Sequence, residues 1–415
     1  VKVLISSLAC SPQLGSEALV GFHVIKALSE RFDTEIVTSA AMRAPDGVKT
    51  HTVAVQFEDP NDVGIAQLLR FEFCQRIVVG QLLRGQAFDA VHRVTPSGYK
   101  QSLLSVPSVP FVVGPVLKAD SPPKSFQSIF WPRLQRRYTP KAIAAWIGHG
   151  TARRVFGRFS TIERLIENAA LILVGTEVTL RRLPARLHSR CRLVPYSGVE
   201  HNRFTPPAGP RASKLPRLLF VGRLVPYKGV ELLLRAAAVA RKRCRFELQI
   251  VGSGFPPYVD YCRKLAANLK LIDSVTFVGR VPREALIEMY RAADIFCMPS
   301  IETYGVAILE AMSTGCAVLV ADYNGPGEIV PPGAGLKVPL EAPEQFIHAF
   351  AERIVGLIES KRLRRDLGER AREHVLRHHD WERIGASLLE IYAEVFPQAG
   401  AAARDRFGRT VVGTL

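Results

Sequence analysis

The sequence has few of the patterns that would tie it to a metal, a disulfide framework or a membrane span. Its seven cysteines, Cys10, Cys74, Cys191, Cys244, Cys262, Cys297 and Cys316, are scattered and odd in number, and none forms a CxxC pair. That usage suits neither a zinc site nor a set of disulfides and fits a reducing cytoplasm. No run of 18 uncharged apolar residues is present to span a bilayer, and Val1 to Ser7 is a strand-like segment without a signal-peptide cleavage pattern. A cytoplasmic protein that is not integral to a membrane is expected. Paired Asp or His clusters at ligand spacing are also missing, so no metal and no separate cofactor are expected.

Acid is the other scarcity. Lysine and arginine number 55 against 38 aspartates and glutamates, a formal charge of +17 over 415 residues. Such a balance favours polyanionic surfaces or substrates. The excess concentrates in residues 1–210, with 26 basic and 15 acidic residues. From Ser121 to Ile162 there is no acid at all, while eight basic residues, Lys124 to Arg158, interleave with seven aromatics, Phe126 to Phe159.

The chain exceeds what one hydrophobic core usually supports, and 47% apolar with 22% charged residues is ordinary for a folded protein. Its first half alternates β-rich runs (Val1–Ser6, Glu35–Thr38, Ala90–Val94, Phe111–Val113, Leu171–Val174) with helical patterns such as Ser16–Glu30. This argues for a parallel sheet with crossover helices. The proline-rich stretch Thr205–Pro216 reads as a linker. Beyond it the pattern restarts: strands at Leu218–Val221, Glu247–Val251, Val275–Val278, Ile295–Met298 and Ala317–Ala321 alternate with helices near 229–242, 259–269, 283–292 and 305–313. The expected class is α/β, with a Rossmann-like domain at 1–205, a second doubly wound domain at 206–380, a closing helix at 381–397 returning towards the first, and a tail at 398–415. Parallel sheets of this kind bind ligands outside the carboxyl ends of their strands, so two of them facing each other would frame a cleft.

The loop after the strand at 218–221 reads Gly222-Arg223-Leu224-Val225-Pro226-Tyr227-Lys228-Gly229 and opens a helix. Either cation alone would be an ordinary solvated charge. Five residues apart beside a helix N-terminus, Arg223 and Lys228 suit a diphosphate, which the backbone amides and dipole also favour. After the strand at 295–298 come Glu302 and Glu310, eight positions apart, with Gly305 between them. Singly, Glu302 would be a helix-dipole charge and Glu310 the partner of a core arginine. With the Arg223 loop in the same sheet, both are read as facing one ligand, and Gly305, lacking a Cβ, would let amides approach a phosphate.

The ordered set Gly222-Arg223, Lys228-Gly229, Val251-Gly252-Ser253-Gly254, Phe277-Val278-Gly279, Pro299-Ser300, Glu302 to Glu310, Ala311-Met312 with Gly315, and Asn324-Gly325-Pro326 with Glu328 resembles the C-terminal domain of family 4 retaining glycosyltransferases. The resemblance covers about 217–330, weakens towards the N-terminus and the helix with Trp381, and implies a GT-B fold. It implies that Arg223 and Lys228 hold the donor diphosphate, that Glu310 takes the ribose hydroxyls, and that Glu302 with the amides of Tyr304, Gly305 and Val306 contacts the donor sugar and phosphates. Arg280 and Val281 would border the nucleobase. One departure is Cys316-Ala317, where the family commonly has a proline after the glycine, with only local packing consequences expected.

In the first half, Gly15 precedes a helix in Leu14-Gly15-Ser16-Glu17, as in a Gly-Ser-Glu subgroup, and the resemblance places it at the donor phosphates. The same residues also make a plain serine-capped turn. His92, taken as the end of its strand, would meet the transferred sugar, or would be a satisfied structural histidine. Gly114-Pro115 resembles another cleft loop, although Leu117 and Lys118 replace the glycines often found after it.

The reaction so implied is metal-independent transfer of a sugar from a UDP- or GDP-linked donor to a carbohydrate or lipid-linked hydroxyl, with retention. The acid-free stretch 121–162 would then rest peripherally on the inner face of an anionic membrane, or form an arginine-rich insertion on the N-terminal sheet. Nucleic acid is not expected, because no recognised module accompanies the patch. Competing functions are a GT-B nucleotide-sugar epimerase or phosphorylase, and a non-catalytic basic binding protein.

Overall fold

The computed structural model describes residues 1–13, 17–40, 42–56, 65–96, 104, 109–130, 166–209, 211 and 215–396. Its elements begin with β1 (Lys2–Ser7), α1 (Glu17–Ser29), β2 (Asp33–Ser39), β3 (Lys49–Val53), α2 (Ile65–Gly85), β4 (Ala90–Thr95), β5 (Phe111–Val116), β6 (Leu171–Val174), α3 (Glu177–Arg182) and β7 (Cys191–Leu193). They continue with β8 (Arg217–Val221), α4 (Val230–Ala240), β9 (Glu247–Val251), α5 (Pro256–Asn268), β10 (Val275–Gly279), α6 (Arg283–Ala292), β11 (Ile295–Met298) and α7 (Val306–Ser313). The last are β12 (Ala317–Asp322), α8 (Asn324–Ile329), β13 (Leu336–Pro339), α9 (Pro343–Glu359), α10 (Lys361–His378) and α11 (Trp381–Val395).

The described residues divide into two compact units, one holding 1–118, 166–197 and 381–396, the other 119–130 and 198–380. Each is built on a parallel sheet, in the order β3-β2-β1-β4-β5-β6-β7 for the first and β10-β9-β8-β11-β12-β13 for the second. The inner strands are apolar runs buried along their length, such as Leu218–Val221 and Leu171–Val174, because helices cover both faces of such a sheet. At the rim, β3 is polar and largely exposed.

Strand order reverses at β1/β4 in the first sheet and at β8/β11 in the second. At such a switch point the connections from neighbouring strands leave to opposite faces, and a crevice opens at the strand ends. In the first unit α11 packs on α1: Trp381 stacks on His23 at 4.1 Å between ring centroids, and Gly385 leaves room for Ala27.

Two expectations are corrected. The proline-rich stretch lies within the second unit, and among the described residues the chain passes between units at Lys118/Ala119, at Ser197/Gly198 and at Asp380/Trp381. Polar anchors bind that stretch to the second unit: Arg291 donates to the carbonyl and hydroxyl of Thr205 (3.2 and 2.7 Å), and Arg211 to the carbonyls of Arg291 and Thr314 (3.1 and 3.0 Å). Within the second unit the segments after Ser197 and before Trp381 are joined, with Val199 N donating to His379 O at 2.9 Å and His201 Nδ1 at 2.6 Å from Asp380 Oδ2.

Of the aromatics offered to a membrane, Phe126 and Phe130 are buried in the second unit, Phe126 edge-on to Phe346 at 6.0 Å. Residues 131–162 of that stretch, and the tail 398–415, lie outside the described residues. Among the described residues no helix is long and apolar enough to cross a membrane.

Candidate active site

The crevice at β8/β11 is assembled by glycines that allow its loops to touch backbone to backbone. Gly229 adopts φ +76°, and a Cβ there would stand 2.0 Å from the Pro299 carbonyl oxygen. The loop after β8 therefore lies directly on the loop after β11, and Ile301 N donates to Tyr227 O at 3.1 Å. Gly252 (φ +131°) meets Gly222 in the same way. On the far side Asn324 donates from Nδ2 to Ile301 O at 2.9 Å, and Gly325 N to Glu302 O at 3.2 Å. The glycine-rich set is thus a packing code for four strand-end loops.

This packing brings Lys228 against Glu302. Their side chains form an ion pair, 13% and 15% exposed, and Ser300 Oγ donates to Glu302 Oε1 at 3.1 Å. Arg223, on the exposed rim of the same loop, donates from Nη2 to Tyr227 Oη at 2.6 Å. Gly305 caps α7, and a Cβ on it would meet Ile308 Cδ1 at 2.5 Å. The glycine therefore makes room for a side chain of its own helix. Tyr304 turns its ring inward, its hydroxyl 3.2 Å from His379 Nδ1, and leaves its backbone to the loop. Arg280 is exposed and Val281 half-buried on the turn between β10 and α6.

Glu310, on α7, is nearly inaccessible. Tyr290 donates to its Oε2 at 2.8 Å, and Arg283 Nη1 lies 3.7 Å from its Oε1. Burial raises the pKa of this carboxyl, and the charge of Arg283 with the Tyr290 hydrogen bond offsets part of the rise. The two glutamates therefore have separate partners, Lys228 for Glu302 and Arg283 for Glu310. Arg283 and Tyr290 escape the sequence reading; their seven-residue spacing, two turns of one helix face, is the signal that could have found them.

In the first unit His92 lies within β4, which continues to Thr95, so it does not end the strand. It is fully buried, with Nε2 2.8 Å from Gly114 O and Nδ1 2.8 Å from Tyr392 Oη. A carbonyl only accepts, so Nε2 donates, and the neutral ring accepts the tyrosine hydroxyl at Nδ1. Burial, opposed by the bond to Gly114, lowers its pKa to about 4. Both ring nitrogens of His92 are thus hydrogen-bonded within the first unit. Gly15 lies outside the described residues.

Residues 203–374 match the family model described as Glycosyl transferases group 1. A GDP-mannose-dependent monoacylated alpha-(1-6)-phosphatidylinositol monomannoside mannosyltransferase of Corynebacterium glutamicum is 30% identical over 273 residues, 60% of this chain and 69% of that protein. The chain belongs to the group 1 glycosyltransferases.

A D-inositol 3-phosphate glycosyltransferase of Acidothermus cellulolyticus is 34% identical over 239 residues, 54% of this chain and 52% of that protein. The chain spans about half the length of several of the curated relatives it matches. Among solved structures, sucrose-phosphate synthase from Thermosynechococcus elongatus superposes with TM-score 0.69 at 20% identity, covering 96% of this chain and 99% of that one. That likeness gives the fold, GT-B. The group 1 glycosyltransferase match contains every site residue from Arg223 to Glu310 and leaves Gly15 and His92 outside.

Proposed function

We propose that the protein transfers a glycosyl group from a GDP- or UDP-linked donor to a hydroxyl of a carbohydrate or lipid-linked acceptor, with retention and without a metal. The observation that carries this reading is the placement of Lys228, Glu302 and Arg223 at the β8/β11 switch point beside the start of α7. Arg223 and Lys228 stabilise the charge that develops on the leaving diphosphate as the C1–O bond breaks, the service a divalent ion performs elsewhere. The acceptor oxygen bonds to C1 on the same face, and its proton passes to a donor phosphate oxygen. Glu302 orients Lys228 and the sugar. The corynebacterial relative is named for a GDP-mannose donor and a phosphatidylinositol-linked acceptor, which supports the donor and acceptor classes.

The test is calorimetry with UDP and GDP, followed by assays with their sugars. Micromolar binding that falls about tenfold or more in Arg223→Ala and Lys228→Ala is expected, because each removes a charge-assisted contact. Absence of binding, or binding indifferent to both substitutions, would remove the site. Breakdown or epimerisation of the donor without any acceptor would instead favour the isomerase or phosphorylase reading, and the anomeric configuration of the product decides retention.

A further inference from the structure

Among the described residues few large apolar side chains reach the surface, and only two of them share a helix. Phe73 and Ile77 stand one turn apart on α2, 60% and 45% exposed. Two such side chains in water forgo most of the gain that burial would bring, so their paired exposure on one helix face calls for a covering surface. The acid-free stretch does not supply that face with its described aromatics, since Phe126 and Phe130 are in the core.

The setting of the pair is basic. At about 100° per residue, Arg70, Phe73, Ile77 and Arg84 fall within an arc of about 60°, opposite the buried Phe71, Gln75 and Val79. An arginine thus stands at each end of the apolar pair. Arg76 adds a third exposed cation beside it, and none of the three forms an ion pair among the described residues. Glu72, the sole acid of α2, is turned inward and fully buried, paired with Arg93 at 3.1 Å. The outward face of the helix therefore offers positive charge and apolar surface together, with no negative charge.

These properties select the occupant. A second copy presenting the same face would set arginine against arginine. A nucleic-acid strand would pair with the arginines and leave the isoleucine unburied. An anionic lipid surface meets both needs: Phe73 and Ile77 enter the acyl boundary, while the guanidinium groups snorkel to the phosphates. Arg70 and Arg84 lie about 20 Å apart along the axis, so they reach separate headgroups.

We propose that the outer face of α2, through Phe73, Ile77, Arg70, Arg76 and Arg84, docks the protein on an anionic phospholipid surface. The inference stands on this helix alone and is independent of the donor chemistry above.

The test is flotation of the full chain with vesicles of phosphatidylcholine alone and of phosphatidylcholine with about one third phosphatidylglycerol. The wild type should float with the anionic vesicles and not with the neutral ones, and added salt should release it. Phe73→Ser/Ile77→Ser and Arg70→Gln/Arg84→Gln should each weaken vesicle binding about tenfold or more, the first by removing the inserted surface and the second by removing the attraction to phosphate. All four side chains are exposed, so thermal unfolding should be unchanged in both. Phe73→Trp should retain binding, and the fluorescence it adds over the wild type should shift to shorter wavelength and be quenched by brominated acyl chains.

Failure of the wild type to bind anionic vesicles would overturn the proposal. So would binding that survives both double substitutions, which would place the contact on another face, or binding of Phe73→Trp without quenching. Retention of a single-stranded oligonucleotide that is lost in the arginine pair, with vesicle binding indifferent to Phe73→Ser/Ile77→Ser, would make this a nucleic-acid surface and overturn it equally.

Discussion

Gly229 rests on the Pro299 carbonyl so closely that a Cβ would stand 2.0 Å from its oxygen, with φ at +76°. This contact between the loops after β8 and β11 is what brings Lys228 to Glu302. Gly229→Ala meets both the left-handed penalty, about 1–2 kcal/mol, and the clash. Thermal unfolding should show the second unit destabilised by at least that amount, with nucleotide affinity reduced alongside. A substitution neutral in both would show that the loops are not held together there.

Glu302 occupies the ammonium of Lys228. A diphosphate must share or displace that carboxylate. Glu302→Gln should therefore bind UDP or GDP more tightly, by a few-fold, yet turn over more slowly because the sugar and the lysine lose their orienting group. Equal or weaker nucleotide binding, measured by calorimetry, would contradict this competition.

Asn324 sits at φ 47° and ties three strands of chain together. It accepts from Asp120 N at 2.9 Å and donates to the carbonyls of Asp120 and Ile301 at 3.1 and 2.9 Å. Asn324→Ala should cost about 2–3 kcal/mol in the denaturation of the second unit, since buried carbonyls lose their donor. Asn324→Asp keeps the acceptor but not the donors and should recover only part of this.

Two groups give the first unit a pH signature. His92, near 6.5 when free, is held at about 4, so it binds fewer protons folded than unfolded between those values. Its contribution is intact above pH 6.5 and is lost as pH falls towards 4. For Glu35, burial opposes ionisation, but hydrogen bonds from Lys2, His51, Lys49 and Gln86 outweigh it and lower the pKa from 4.5 to about 2. Its contribution is present above pH 4.5 and disappears towards pH 2. Urea midpoints measured against pH should fall in these two steps, with His92→Asn flattening the first and Glu35→Gln the second.

The elements of the second unit were legible because their signals are local. Leu218–Val221 is a strand by its own apolar run, and the residues from Arg283 to Ala292 form a helix by their own periodicity. In the first unit β3 was invisible, since the edge strand Lys-Thr-His-Thr-Val carries no apolar alternation. The strand that holds His92 was read one residue short, and the burial of a histidine is not legible from its neighbours.

By itself, the sequence determined the class of fold, the alternation of strand and helix, and the glycines and charges of the loops after β8 and β11, all properties of neighbouring residues. Tertiary structure alone decided the partners. Glu302 meets Lys228 across 74 residues, Tyr392 meets His92 across 300, and Asn324 meets Asp120 across 204. A hydrogen bond or ion pair at such separation depends on chain closure and packing, which no short window of sequence contains.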